Sequence, residues 1–432
     1  MIHLSTLLTY YKREDIQKTM VEHAKNKEVA VRFNDQFGKR PDVLNYPRDI
    51  LEFAKQGATS FHASEELWSN PMQLNPMMQK SEIEALRTGW DLVLDIDCQF
   101  IEYSKVAADL VAKTLKKMGI KSCSIKFSGN KGFHIGVPYE AFPEKIGSIE
   151  TRLMFPEAAR RIAFYIKEMI KKPLGEAIMK LEKNDFSAIM QKTGKKQEEI
   201  RMKSGETLIL NVEPFLAIDT LLISSRHLYR MPYSLHEKSG LVSLPIKEEE
   251  ILSFSKESAM PSKVKAGLVF IDRKNVKKNE AALLLTEAMD FSPKIEQKAS
   301  EEKEYDIPEE AIPEKFFPPC ILKLLEGVDD GRKRSLFILS NFLRSCGWDF
   351  ESIEKRLKEW NLKNKQPLKD VYIVGQLRYQ KYQKKAILPP NCDNKAYYSD
   401  MGIKCDSAVC RVRNPVNYAR RRAGTPRKKS NL

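Results

Sequence analysis

Between residues 293 and 315 the chain reads PKIEQKASEEKEYDIPEEAIPEK, and no single hydrophobic core can run through such a stretch. Glu, Lys and Pro dominate it, so burying it would cost charge desolvation with little apolar gain. It reads as a solvated linker between a longer N-terminal part and a compact C-terminal one. The expected divisions are residues 1–292, a charged linker at 293–312, a second module at 313–425 and a basic tail at 426–432. At 432 residues the chain is long enough for more than one core. It has no run of about 18 apolar residues, the length a membrane span needs. The opening MIHLSTLLTYYKRED meets charge too soon for a signal peptide. An intracellular protein without a membrane anchor is therefore expected.

The N-terminal part mixes two periodicities. LVLDID at 92–97 is a buried-strand pattern, and SCSIKFSGNKGFHIGVP at 122–138 reads as strand, Gly-containing turn and strand. SKVAADLVAKTLKKMG at 104–119 has helical spacing through Val106, Leu110, Val111, Leu115 and Met118, with Gly119 as a terminator. A helical insertion is expected over about 150–210, followed by a return to strand and turn signals at 221–246. This part is α+β. After the linker the chain reads as helices. GRKRSLFILSNFLRSCG at 331–347 carries a stripe at Leu336, Phe337, Leu339, Phe342 and Leu343, and Asp349 is placed to cap DFESIEKRLKEWN.

In DLVLDID the alternation of a strand puts Asp95 and Asp97 on one face and Leu94 and Ile96 on the other. Two carboxylates about 7 Å apart repel each other unless a cation lies between them. Hard divalent ions such as Mg²⁺ or Mn²⁺ suit such oxygens and leave positions open for phosphate. A bare pair of this kind is also compatible with two surface acids at a strand end. In SGNKGFH, Gly129 and Gly132 permit a tight turn, Ser128 offers a hydroxyl, Lys131 a point charge and His134 a further donor. An ordinary hairpin turn would look similar. Asp219 in FLAIDTLL is the candidate for a third acid, and Arg226, Arg230, His236 and Lys238 follow it as a basic cluster suited to a polyanionic substrate.

Four cysteines lie in the last third, Cys320, Cys392, Cys405 and Cys410, without the CxxC pair of a zinc ribbon. Their spacing alone leaves an iron–sulfur cluster, a zinc site and four unconnected cysteines all open. Cys98, Cys123 and Cys346 lie in apolar surroundings and read as packing residues. The net charge of +15 favours a polyanionic partner. Residues 411–432 add Arg411, Arg413, Arg420, Arg421, Arg422, Arg427, Lys428 and Lys429 with no acid, a tail suited either to phosphate contact or to solubility.

DLVLDID, SGNKGFH and RHLYRMPYSLHEKSGLVSLP, in this order, resemble the archaeal and eukaryotic DNA primase small (catalytic) subunit. So do YYKREDIQ, KRPDVLNYPRDIL and ATSFHASEELWSNP nearer the start, and the resemblance covers most of residues 1–250, with a more archaeal than eukaryotic character. It implies metal ligation by Asp95, Asp97 and Asp219, and triphosphate contacts by Ser128, Lys131, His134, Arg230 and His236. Arg32 and Arg40 are implied at the nucleotide or template face. The zinc knuckle usual in that family is expected to be missing, because only Cys98 and Cys123 stand in this part. FPPCI, GRKRSLFILSNFLRSCGW, LPPNCDN, KCDSAVC and RNPVNYARRR resemble the C-terminal domain of the primase large subunit, over about residues 313–425. That resemblance implies a 4Fe–4S cluster on Cys320, Cys392, Cys405 and Cys410, in a mostly helical domain that binds template and the first nucleotides. Arg332, Lys333 and Arg334 would reach phosphate, and Trp360, Tyr397 and Tyr398 either stack on bases or fill the core. The expectation is a reduced fusion acting as a monomer: a primase using Mg²⁺ or Mn²⁺, nucleoside triphosphates, single-stranded DNA and an RNA or DNA primer. The readings set against it are a repair or lesion-bypass primase-polymerase and a non-catalytic iron–sulfur nucleic-acid-binding protein.

Overall fold

The structure, a computed structural model, describes residues 2–34, 36–204, 207–218, 223–291, 307–308, 310–382, 387–394, 397–403, 410 and 412–424. Two compact units emerge, Met1–Pro293 and Lys294–Leu432. Most of the expected linker, Asp219, Cys405 and the tail at 426–432 lie outside the described residues.

Walking along the first unit, β1 (Val29–Phe33), β2 (Gln36–Phe37) and β3 (Ser60–Ser64) come first. β4 (Leu92–Cys98) leads into α1 (Ile101–Lys117), and β5 (Ser124–Phe127) and β6 (Phe133–Val137) form a hairpin. α2 (Glu157–Leu181) follows, then β7 (Leu216–Ile218), β8 (Leu228–Arg230), β9 (Pro245–Ile246) and α3 (Ala282–Asp290). The strands make two antiparallel sheets, ordered β7–β4–β6–β5–β9 and β8–β3–β1–β2.

Each sheet has its own core. Leu92, Leu94, Ile96 and Cys98 of β4 and Phe133, Ile135 and Val137 of β6 bury one face against α1, and α2 packs on α1 within the same core. The second core gathers around Val29, Val31, Phe61 and Ala63 with Tyr10, Tyr11 and Met20. A small cluster of Val93, Tyr229, Phe270 and Ile271 lies between them, on the face of β4 that carries the acids. The same face begins at a buried ion pair: Asp91 is 2.7 Å from Lys27 Nζ and 2.6 Å from Arg273 Nη2. Burial alone would raise the Asp91 carboxyl, but Lys27 and Arg273 more than offset it and bring it to about 2.

One expectation needs correction. α1 has the expected helical spacing: Val111 and Leu115 are buried with Ala107, Ala108 and Ala112, and Val106, Leu110 and Met118 pack partly buried against the same core. The insertion expected to be helical to about residue 210 holds helices at Glu157–Leu181, Phe186–Thr193 and Gln197–Ile200. It then turns to an antiparallel pair, Arg201–Ser204 with Thr207–Leu210. The β-branched Thr207 and Ile209 favour extended backbone over helix.

The described part of the second unit is helical: α4 (Pro319–Leu325), α5 (Arg332–Ser345), α6 (Phe350–Leu362), α7 (Asp370–Tyr382) and α8 (Pro415–Arg422). Asp349 caps α6 by accepting from the Ser352 N–H. Its core holds Leu336, Ile338, Leu339, Phe342, Leu343, Leu357 and Trp360. Ile312, at the end of the expected linker, belongs to this core and donates its N–H to the Cys346 carbonyl.

Candidate active site

The strand register assembles the site. Asp95 stands opposite His134, and His134 opposite Lys126, so a row of acid, imidazole and amine crosses β4, β6 and β5. Asp97 is two residues on, on the same face, opposite Ala217 of β7. That face looks onto a cavity of about 270 Å³, whose far wall comes from β3 and β8 of the other sheet. Asp95, Asp97, Ser128, Lys131, His134, Arg230 and His236 all line it.

The β5–β6 turn is built by its glycines. Gly129 has φ +103°, and a Cβ there would come within 2.8 Å of the His236 Cβ. At Gly132 a Cβ would run into the Ile96 carbonyl oxygen of β4. The Ser128 N–H donates to the Gly132 carbonyl at 2.9 Å, and the Gly132 N–H donates to Ser128 Oγ at 3.2 Å. The turn is also tied to the segment after β8, since Ser239 Oγ donates to the Gly129 carbonyl.

The imidazoles are held neutral. Burial, then the charges of Lys126 and Arg230, keep His134 well below the usual histidine range; its Nε2 is 3.4 Å from Asp95 Oδ1. His134 Nδ1 is buried without a hydrogen-bond partner among the described residues. Burial, then Arg230, bring His236 down to about 4. Its Nδ1 faces the N–H groups of Lys238 and Ser239, which assigns the ring proton to Nε2 and makes that atom a donor. His62, in the same cavity, is likewise held low by burial and then Arg230.

Several lining or supporting groups escaped the sequence reading. Lys126 is fully buried, donates to Ser243 Oγ at 2.7 Å and lies over the Tyr229 and Phe270 rings. A lysine between the apolar Ile125 and Phe127 was the available signal. Glu65 and His227 line the cavity joined at 2.9 Å. Glu237, in the turn whose His236 and Lys238 the sequence reading did single out, bridges Arg230 at 2.7 Å and Arg32 at 2.9 Å. Arg32 therefore lies behind the cavity wall and is not among its lining residues. Arg40 is farther from the expected role: its guanidinium is engaged by Glu28 at 3.1 Å and by the Arg226 carbonyl.

Asp95 and Asp97 supply two hard oxygen donors on one face, which fits a divalent ion, and the third expected donor, Asp219, lies outside the described residues. Among the described residues no group of three or more His, Cys, Asp or Glu is placed to hold a metal ion. In the second unit Cys320 and Cys410 are buried and Cys392 half-buried, and Cys405 lies outside the described residues. The described cysteines alone do not form a cluster site. Trp360 and Tyr398 are buried in the helical core, so of their two expected roles the structure gives them packing; Tyr397 is half-buried against Phe337. Lys333 lies over the Tyr372 ring, and Arg332 donates to the Gln366 carbonyl.

Two acids, a lysine, an arginine and neutral imidazoles thus share one cavity. Residues 94–248 match the family model described as DNA primase small subunit. The DNA primase small subunit PriS of Pyrobaculum aerophilum is 30% identical over 193 residues, 39% of this chain and 57% of that protein. PriS of Pyrobaculum islandicum is 25% identical over 191 residues, with the same shares. The chain thus spans 57% of the length of these curated relatives. An uncharacterised protein of Methanocaldococcus jannaschii is 43% identical over 58 residues, 13% of each chain. Among solved structures, the polymerase domain of Mycobacterium tuberculosis ligase D in complex with DNA overlaps 66% of this chain and 89% of its own. Its TM-score is 0.36 and its identity 14%. No helix among the described residues is long and apolar enough to cross a membrane.

Proposed function

We propose that this chain is a DNA primase, a nucleotidyltransferase that joins nucleoside triphosphates on a single-stranded DNA template. The observation that carries the reading is one cavity that sets Asp95 and Asp97 against Ser128, Lys131, His134, Arg230 and His236, all seven within the stretch that matches the primase family model. Mg²⁺ or Mn²⁺, when bound by the acids, supplies the Lewis acid that activates a 3′-hydroxyl and stabilises leaving pyrophosphate. Lys131 and Arg230 bring positive charge to the triphosphate, and His236 Nε2 donates a neutral hydrogen bond to it. The narrow Ser128–Gly132 turn lets the backbone approach phosphate closely. The apolar floor of Val93 and Tyr229 limits water beneath the reacting groups.

The helical unit is proposed to hold template and the initiating nucleotide, with Cys320, Cys392, Cys405 and Cys410 as cluster ligands. Iron and sulfide assays on anaerobically purified protein test that part by itself. A colourless protein with neither element would remove it.

The central test is primer synthesis on single-stranded DNA with ribo- and deoxynucleotides in parallel. Asp95→Asn and Asp97→Asn should each lower synthesis by at least about a hundred-fold, the order of several kcal/mol expected when a metal ligand is lost. Template binding should persist. Full synthesis by either variant would overturn the reading.

A further inference from the structure

Glu237 lies where three neighbouring strands meet the turn after β8. Its carboxylate takes Arg230 Nη2 of β8 at 2.7 Å and Arg32 Nη1 of β1 at 2.9 Å, and Ser60 Oγ of β3 donates to it at 3.4 Å. The register brings these together: Arg32 is opposite Ser60 in β1–β3, and Arg230 opposite His62 in β3–β8. The Glu237 side chain is 7% exposed and that of Arg230 is 9% exposed. Arg230 spends a second donor on the Leu235 carbonyl at 3.0 Å. Only Arg230 of this trio lines the cavity. Arg32 is turned to Glu237, to the Asn34 carbonyl at 2.8 Å and to the Phe37 ring.

We propose that Glu237 and Arg32 are positioning residues that act on the nucleotide's phosphates only through Arg230. The inference rests on the reading of the cavity as a nucleotide site and deepens it. A guanidinium has five N–H donors in a rigid plane, so fixing two of them fixes where the others point. Glu237 holds that plane from behind. Arg32 in turn holds Glu237 and offsets its charge, so the trio keeps one net positive charge for a polyphosphate. Losing either partner frees the Arg230 side chain to rotate, and binding then has to restore its orientation.

The test is a double-mutant cycle with Arg32→Ala, Glu237→Gln and the pair. It is read by calorimetric binding of ATP with Mn²⁺ and, separately, of inorganic tripolyphosphate. Each single variant should weaken both ligands about ten-fold, and the pair should be no weaker than either single, as expected for residues of one charge network. Arg32→Lys, which keeps a cation beside Glu237, should recover most of the loss. In synthesis assays Glu237→Gln should raise KM and leave kcat within about two-fold, which general loosening of the fold would not do. Additive losses of about a hundred-fold in the pair would mean that Arg32 touches the nucleotide itself and would overturn the inference while leaving the proposed function standing. Unchanged binding in Glu237→Gln would also overturn it. Failure of the unaltered protein to bind either ligand would remove the nucleotide site altogether.

Discussion

Gly132 shows how tightly single residues constrain this site. A methyl group there would collide with the carbonyl of Ile96, the residue between the two acids. The SGNKGFH turn and the Asp95/Asp97 alternation were visible in the sequence because both follow from local rules: glycine for close approach, period two for a strand. Lys126, Glu65, His227 and Glu237 were not singled out, because their surroundings come from residues distant in the chain. His236 shows the same for protonation. Its ordinary value of 6.5 falls to about 4 through burial and then Arg230. The folded state therefore binds the proton less readily than the unfolded chain. Its contribution to stability is whole above pH 6.5 and is lost as the pH falls toward 4. Urea titrations across that window should show stability declining with acidification, and His236→Gln should flatten part of the slope; an unaltered slope would contradict the assignment.

The helices were the more legible elements, and their ends the most legible part of them. Gly119, expected as a terminator, has φ of +93°, and Gly347 after α5 has φ of +86°. Asp349 caps α6 as its position suggested, accepting from the Ser352 N–H at 2.9 Å. Replacing it with Ala should cost about 1 kcal/mol, read as a lowered denaturation midpoint of the helical unit; a shift below measurement error would refute the cap's role. The buried face of α5 holds Ile338 where Phe337 was expected, with Phe337 set against the Tyr397 ring. Periodicity gives a stripe to within about one residue, and neighbouring elements choose its edge. Sheet order was less accessible: β7, which flanks β4, lies beyond α2 in the chain, and nothing local announces that pairing. The pair at Arg201–Leu210 shows the converse, a short strand signal hidden at the end of a helical region.

For the molecule as a whole, two units with separate cores imply two cooperative transitions. Trp360 is fully buried in the helical unit. Trp360→Ala should lower the transition of that unit by about 3–5 kcal/mol, seen by calorimetry, and leave the other within error. A single transition that moves as one would contradict independent cores. The composition shift at 293–315 could suggest two cores from sequence alone, since charge and proline oppose burial wherever they occur. The partition inside the first unit could not be foreseen, because both of its sheets draw strands from widely separated stretches of chain.

That inner partition has a practical consequence. The acids belong to one sheet and Arg230 to the other, and between the two sheets lie the few apolar residues around Val93, Tyr229, Phe270 and Ile271. The gap between the jaws is thus set by a thin spacer that carries no reactive group. Trimming or thickening Phe270 or Ile271 offers an engineer a means of changing the width of the cavity, with every polar side chain that lines it left as it is.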